Sequence, residues 1–508
     1  MKVCLIRPPI VVPRFNQNAL FTPALGLAYI AGALREAGHA VTAIDGLGAS
    51  LDTRYPAAND CYLYGLQIAE IVERIDDDAE IIGISAGFTF EWPTCRDLSF
   101  AIRRRFHDVM IIAGGEHITA MPDESLGESE IDLAVLGEGE ETAVEILNSL
   151  DTSTFEASLI AGVANKDTSG TISHSPIRAR MRDINRISPP AWDLMPIEEY
   201  LDRNLGFGVD LGRSMPMLAS RGCPYQCTFC SSPQMWTTRW LARDPDLLLD
   251  ELESYQKLYD ATNFDFYDLT AIVKKSWIIE FCDRIATRGL SFTWQLPSGT
   301  RSEAIDAEVA PLLYQSGCRN LSYAPESGSP PVLKRIKKKV VPDRMLTSMR
   351  SSVASGINIK CNIMLGFPGE TYQEVRQTFG FITRMALVGA HDLSIWAFSP
   401  YPGSELFKNL QRENKINLDD NFYDALRSYA DTSQTRSYSE HISDRMLKFF
   451  RVVGLVLFYG ISWLRRPLRP LQMIVNVVRG THESRAEMVI ASALRRLHMP
   501  TGGGRSDP

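Results

Sequence analysis

Three cysteines, Cys223, Cys227 and Cys230, share one short run, Ser-Arg-Gly-Cys-Pro-Tyr-Gln-Cys-Thr-Phe-Cys. Thiols gathered this tightly in a reducing compartment are metal ligands more often than disulfides. The spacing is C-x3-C-x2-C, with no fourth cysteine nearby. A closed structural zinc site takes four protein ligands. A cubane of four irons held by three cysteines keeps one iron open. An open iron can chelate the amino and carboxylate groups of a small molecule. A zinc knuckle, or three unrelated core cysteines, are the plainer readings. Gly222 and Pro224 suit a tight loop after an apolar strand at 215–219, and Phe229 would shield a cluster.

Elements must hold that loop, and the chain is long enough to supply them. Its 508 residues suggest two to four domains. A hydrophobic content of 45% and a charged content of 22% describe an ordinary globular chain. The net charge of −8 argues against nucleic acid as main partner. Nine cysteines, an odd number spread widely, form no disulfide framework, which points to the cytoplasm. The first apolar run is too short and interrupted for a signal peptide.

Residues 1–150 alternate short apolar strands (2–6, 40–44, 81–85, 109–113 and 133–136) with helices (24–37, 92–106 and 142–150). That alternation predicts a doubly wound parallel sheet, whose ligands bind beyond the carboxyl ends of the strands. Ser85, Gly87, Thr89, Gly114, Gly115, Gly137 and Gly139 collect at those ends. They would let backbone approach a large flat ligand. Residues 151–212 read as a proline-rich connector, with a hairpin pairing 160–164 with 171–175 and Trp192 packed between domains. From 213 to 410 six strand–helix repeats suggest a partial (β/α)6 barrel, with strands at 215–220, 263–267, 291–295, 320–324, 359–365 and 392–398. Asp268, the Glu326-Ser327 pair, Gly366 and Phe398 stand at or beyond strand ends, where barrels place active sites. Cys282, Cys318 and Cys361 read as small core hydrophobes.

Residues 411–508 read as a helical C-terminal region. The stretch 446–464 is mostly apolar but carries Lys448 and Arg451, and Arg465-Arg466-Pro467 follows. Such a helix suits a membrane surface or a cap over the barrel mouth better than a span. The Gly-rich tail 501–508 reads as disordered.

The cysteine run resembles the signature of radical S-adenosylmethionine (SAM) enzymes. Residues 23–34, 82–85, 113–124 and 136–142 resemble the cobalamin-binding domain that precedes the cluster domain in many of them. The resemblance implies a [4Fe-4S] cluster on Cys223, Cys227 and Cys230, with SAM on the open iron. It places Asp268, Glu326, Ser327, Gly366 and Phe398 near SAM. It places Ser85, Thr89, Gly114, Gly115, His117, Gly137 and Gly139 near cobalamin. The loop after the first strand lacks Asp-x-His-x-x-Gly, so cobalamin without a lower histidine ligand is expected; His117 is read as a loop residue near the corrin. The implied activity is methyl transfer to carbon of a small molecule, with oxidative ring closure as the alternative and a cobalamin or SAM sensor as a weaker one. An electron donor such as flavodoxin or ferredoxin is implied as partner.

Overall fold

Strands buried on both faces set the architecture. The computed structural model describes residues 1–14, 21–300, 302–427, 435–480 and most of 482–491. The expected disorder at 501–508 lies outside the described residues.

The first sheet runs, in spatial order, Ala40–Asp45, Lys2–Arg7, Ile81–Ser85, Met110–Gly114 and Leu133–Val135, all parallel. The near-continuous burial of Val3–Ile6 and Ile111–Ala113 is the mark of a sheet covered on both faces. The hairpin Val163–Lys166 and Ile172–His174 then continues this sheet antiparallel. It is therefore an edge of the first sheet, not a free part of the connector. A small antiparallel sheet of Ile10–Pro13, Cys61–Tyr64 and Arg54–Ala57 flanks the fold. The sequence reading missed it, because the strands are only four residues long and two of them carry a proline.

The second sheet holds six parallel strands in sequential order: Ser214–Met217, Asn263–Phe266, Thr293–Thr300, Cys318–Glu326, Asn358–Leu365 and Asp392–Ala397. Its helices carry clear local signals. Pro245–Tyr259 starts at Asp244, whose carboxylate accepts from the Asp246 N–H at 2.8 Å, with proline in the first turn. Tyr372–Val388 opens on a Thr371/Glu374 capping box and ends at Gly389, φ +102°. Cys282, Cys318 and Cys361 are buried among these elements.

The connector wedges between the sheets. Trp192 is buried; its indole N–H donates to Tyr255 Oη at 3.1 Å, while the Ala191 N–H donates to Ala28 O at 2.9 Å. Helix Leu25–Glu36 meets the connector so closely that a Cβ at Gly32 would lie 2.1 Å from Pro189 O.

Helix Asp444–Arg465 lies along Tyr372–Val388 and the edge strand Asp392–Ala397. It flanks the sheet, and Leu447 in its first turns reaches Gly366 at the mouth. The segment before it covers the mouth's rim: the Tyr438 N–H donates to Gly366 O, and Ser439 Oγ donates to Glu370 O at 2.6 Å.

Candidate functional site

The strand ends of the first sheet open into a cavity of about 390 Å³. Leu5, Leu27, Ile30, Ile112, Val135 and Leu147 make its inner part a slot between the sheet and helices Leu25–Glu36 and Glu140–Asp151. Ser85, Gly114, Gly115, Gly137 and Gly139 line it. A Cβ at Gly137 or Gly87 would meet nothing within 4 Å, whereas one at Gly139 would sit 3.0 Å from Ile30 Cδ1. The outer wall comes from the side of the second sheet: Arg221 of the short strand Ser220–Arg221, Met235 and Trp236 of the helix Ser232–Trp236, and Tyr267 just past Asn263–Phe266.

The second sheet's strand ends carry the thiols. Cys223, Cys227 and Cys230 are half-buried in one loop after Ser220–Arg221, and none is in a disulfide. Burial pushes the Cys230 thiol up to about 12, so a thiolate there needs a compensating cation. No three ligating side chains among the described residues converge on a single ion position. Asp268, buried, accepts from Ser220 Oγ at 2.5 Å and from the Ala219 N–H at 3.0 Å. It ties down the strand end from which the cysteine loop departs. Burial raises its carboxyl to about 6.

Glu326 ends the fourth strand at a register shift, in the left-handed region at φ +64°. A non-glycine residue held there costs on the order of 1–3 kcal/mol and persists only where its surroundings impose it. Lys338 Nζ donates to Glu326 Oε1 at 3.0 Å and lies 5.9 Å from the Phe229 ring centre. Burial opposes the Lys338 charge, but Glu326, Cys227 and Cys230 raise its pKa overall. Aromatic contacts then run Phe229–Phe367–Phe398–Tyr438, with ring centres 5.2–5.8 Å apart. Glu370 closes the loop behind them, accepting from the Gly366 N–H at 2.6 Å and the Phe367 N–H at 3.3 Å.

The two sites share a seam. Buried Arg221, two residues before Cys223, pairs with Glu138 at 3.3 Å and with Glu140 at the end of the first sheet. Arg180 joins Glu138 at 3.4 Å and donates to Trp236 O at 2.7 Å. On the far side of the cysteines, Ser231 Oγ donates to Glu116, and Gln234 Nε2 donates to Thr119 O at 3.2 Å.

The B12 binding domain family matches residues 17–147, and the radical SAM superfamily matches residues 217–382. These matches fall on the glycine-lined cavity and the cysteine loop respectively. The chain belongs to the cobalamin-binding radical SAM enzymes. Their cofactors are cobalamin, SAM and a [4Fe-4S] cluster. The chain is 29% identical over 409 residues to an uncharacterized methyltransferase of Pyrococcus horikoshii, covering 80% of this chain and 83% of that one. It is 26% identical to the anaerobic magnesium-protoporphyrin IX monomethyl ester cyclase of Rubrivivax gelatinosus, over 76% of this chain and 66% of that protein. Its fold is similar to that of the cobalamin-dependent SAM radical enzyme OxsB solved with aqua-cobalamin and SAM, with a TM-score of 0.68 at 15% identity, covering 98% of this chain and 75% of that one.

The chemistry of the cavity's lining suits the corrinoid that a cobalamin-binding radical SAM enzyme holds. The cavity's floor is backbone, its slot is apolar, and no histidine is among the residues lining it. Five of the sequence-assigned cobalamin residues, Ser85, Gly114, Gly115, Gly137 and Gly139, line it together. Thr89 and His117 do not. His117 lies in the helix Glu116–Ala120, not a loop, and is fully buried, stacked 4.7 Å from Trp92 with Tyr423 at its edge. Thr89 Oγ1 meets its Nδ1 at 3.3 Å, and burial lowers the imidazole to about 3.

Among the residues assigned to SAM, Glu326, Gly366 and Phe398 border the cysteine loop through Lys338 and the aromatic run. Asp268 and Ser327 face other partners. Ser327 Oγ meets Thr378 Oγ1 at 3.0 Å in the helix Tyr372–Val388. The sequence reading missed Lys338, Arg221, Glu138 and Tyr267. Lys338 hides in a Lys-Lys-Lys run that reads as a solvated face, and Arg221 is visible only as the residue preceding Gly-Cys-Pro.

Proposed function

We propose that this chain is a SAM-dependent methyltransferase that acts on an unactivated carbon of a small molecule. One observation carries the reading: Arg221, which starts the cysteine loop, lines the same cavity as Gly114 and Gly137. A substrate in the seam would therefore touch both cofactor positions at once.

When bound, the cluster supplies the electron that cleaves SAM to a carbon radical, and the corrinoid supplies a methyl carrier. The chain's residues position and shield. Cys223, Cys227 and Cys230 would hold the cluster, Phe229 and Phe367 keep water from it, and Lys338 fixes the Glu326 carboxylate beside it. The backbone at Gly114, Gly115 and Gly137 would bear the corrinoid. Arg221, held by Glu138 and Glu140, locks the two walls in place. A one-electron donor such as flavodoxin or ferredoxin completes the reaction.

The test is turnover with methyl-labelled SAM under reducing, anaerobic conditions. Methyl transfer puts label in the product and forms S-adenosylhomocysteine alongside 5′-deoxyadenosine. Altered substrate with 5′-deoxyadenosine but no S-adenosylhomocysteine would replace this reading with oxidative ring closure, the reaction named for the Rubrivivax relative.

A further inference from the structure

Helix Arg469–Arg479 turns most of its apolar side chains outward. Leu471, Ile474, Val475 and Val478, at i, i+3, i+4 and i+7, are 61%, 59%, 43% and 80% exposed. Met473 and Asn476 are the buried residues, and Asn476 donates to Glu487 Oε1 at 3.1 Å. An ordinary surface helix does the reverse. The preceding helix, Asp444–Arg465, is apolar on both faces. Leu447, Gly454 and Phe458 pack inward, while Phe449, Val452, Val456 and Trp463 point to solvent. Leu464 and Leu468, at the junction, extend the same exposed surface. An apolar surface of this extent marks an interaction site.

Its rim is cationic. Residues 444–479 contain seven lysines and arginines against one acidic residue, Asp444, in a chain of net charge −8. Arg445, Lys448, Arg465 and Arg479 are exposed, and none makes a carboxylate ion pair among the described residues. Arginines elsewhere are satisfied differently; Arg288 alone meets Asp246, Asp250 and Glu253.

We propose that the outer faces of these two helices dock on an anionic lipid bilayer surface. Aliphatic and aromatic side chains would enter the headgroup boundary, and the unpaired cations would meet lipid phosphates. A second copy of this chain is a poor occupant, because two faces this basic repel each other. Spanning is also disfavoured. Asp444–Arg465 is long and apolar enough to cross a membrane by length and composition. Yet buried Arg451 donates its Nε–H to Ile395 O at 3.0 Å, and Gly454 would carry a Cβ 2.5 Å from Ile395 Cδ1. That inner face belongs to the barrel flank, so only the outer face is free to meet lipid.

The experiment is flotation of the full chain with vesicles of equimolar phosphatidylglycerol and phosphatidylcholine, compared with phosphatidylcholine alone. Wild type should float with the anionic vesicles and release at high salt. The exposed double change Ile474→Asp/Val478→Asp, and separately Lys448→Glu/Arg465→Glu, should each lower the bound fraction about tenfold. Melting temperatures should stay unchanged, since all four residues face out. The proposal is overturned if wild type stays unbound at low salt, or if both variants bind as wild type does. It is equally overturned if sedimentation shows a dimer that the variants dissolve while vesicles bind nothing.

Discussion

At the end of the first sheet, Ser85, Gly114, Gly115, Gly137 and Gly139 present backbone to the cavity, and Arg7, Glu91, Glu138 and Glu140 are the charged groups that the same domain adds to its lining. At the end of the second, the thiols stand beside Lys338 and its partner Glu326, a glutamate held in the left-handed region. Both are parallel sheets with ligand space beyond their strand ends, as such sheets dictate. The difference lies in what each end must hold. A large rigid ligand is bound by removing side chains, so its site is written in glycines. A small reactive ligand on an iron is bound by adding charge and strain, so its site is written in polar side chains whose pKa values burial and neighbours displace.

The comparison breaks most sharply at the thiols. Cys223→Ala, Cys227→Ala or Cys230→Ala should each abolish 5′-deoxyadenosine formation and the brown chromophore, yet leave corrinoid binding intact. Full iron content in any one of these variants would remove that cysteine from the ligand set. The converse change is Gly114→Leu. A Cβ there makes only an ordinary contact, 3.7 Å from Val135 Cβ, so the rest of the side chain projects into the cavity. Corrinoid affinity should fall at least about tenfold, or ~1.4 kcal/mol. Iron content and melting temperature should hold. Unchanged corrinoid titration would show that the ligand lies elsewhere.

A smaller effect tests the polar end. Glu370 is fully buried with Oε1 unpartnered, and burial raises its carboxyl to about 7; nearby Glu374 also raises it, while the Gly366 and Phe367 N–H groups and Arg335 lower it. The unfolded chain releases this proton near 4.3. The native state therefore holds more protons between those values, and stability falls as pH rises through that window. Glu370→Gln keeps an acceptor for Gly366 and cannot titrate. Relative to wild type, it should gain roughly 1–3 kcal/mol on going from pH 4.5 to pH 7.5. Parallel denaturation curves at the two pH values would rule out a buried, titrating Glu370.

The same contrast explains what the sequence could reveal. The cysteine run is local, and so are the glycines at strand ends; both sites were legible because each is a short pattern attached to a strand. Helices Pro245–Tyr259 and Tyr372–Val388 carry their start signals locally, the first in a capping aspartate with proline after it and the second in a capping box. Burial by distant residues was not. His117 looked like a ligand-facing loop residue, but Tyr423, from beyond the barrel, closes over its edge. Asp268 stands at a strand end as a ligand-binding residue would, yet Ala219 and Ser220, on the neighbouring strand end, consume its oxygens. The exposed face of Arg469–Arg479 shows the same limit: its inward side is the one that carries Met473 and Asn476, and Asn476 meets a residue outside the helix, Glu487.

The smallest expected effect concerns how the two ends are held against each other. Trp192 stands between helix Leu25–Glu36, through its neighbour Ala191, and helix Pro245–Tyr259, through Tyr255. Trp192→Phe keeps most of the buried ring and deletes one N–H donor. Tyr255 Oη retains its own hydrogen bond to Glu251 Oε1 at 2.8 Å, so no buried donor is orphaned. The loss should be about 1 kcal/mol, the net worth of one neutral hydrogen bond, measured by denaturant unfolding. Because the ring still fills the wedge, the two walls should keep their spacing. The ratio of S-adenosylhomocysteine to 5′-deoxyadenosine should then stay at its wild-type value. A ratio that falls while 5′-deoxyadenosine formation persists would mean that this single hydrogen bond, not the wedge as a whole, aligns the glycine-lined end with the cysteine-lined one.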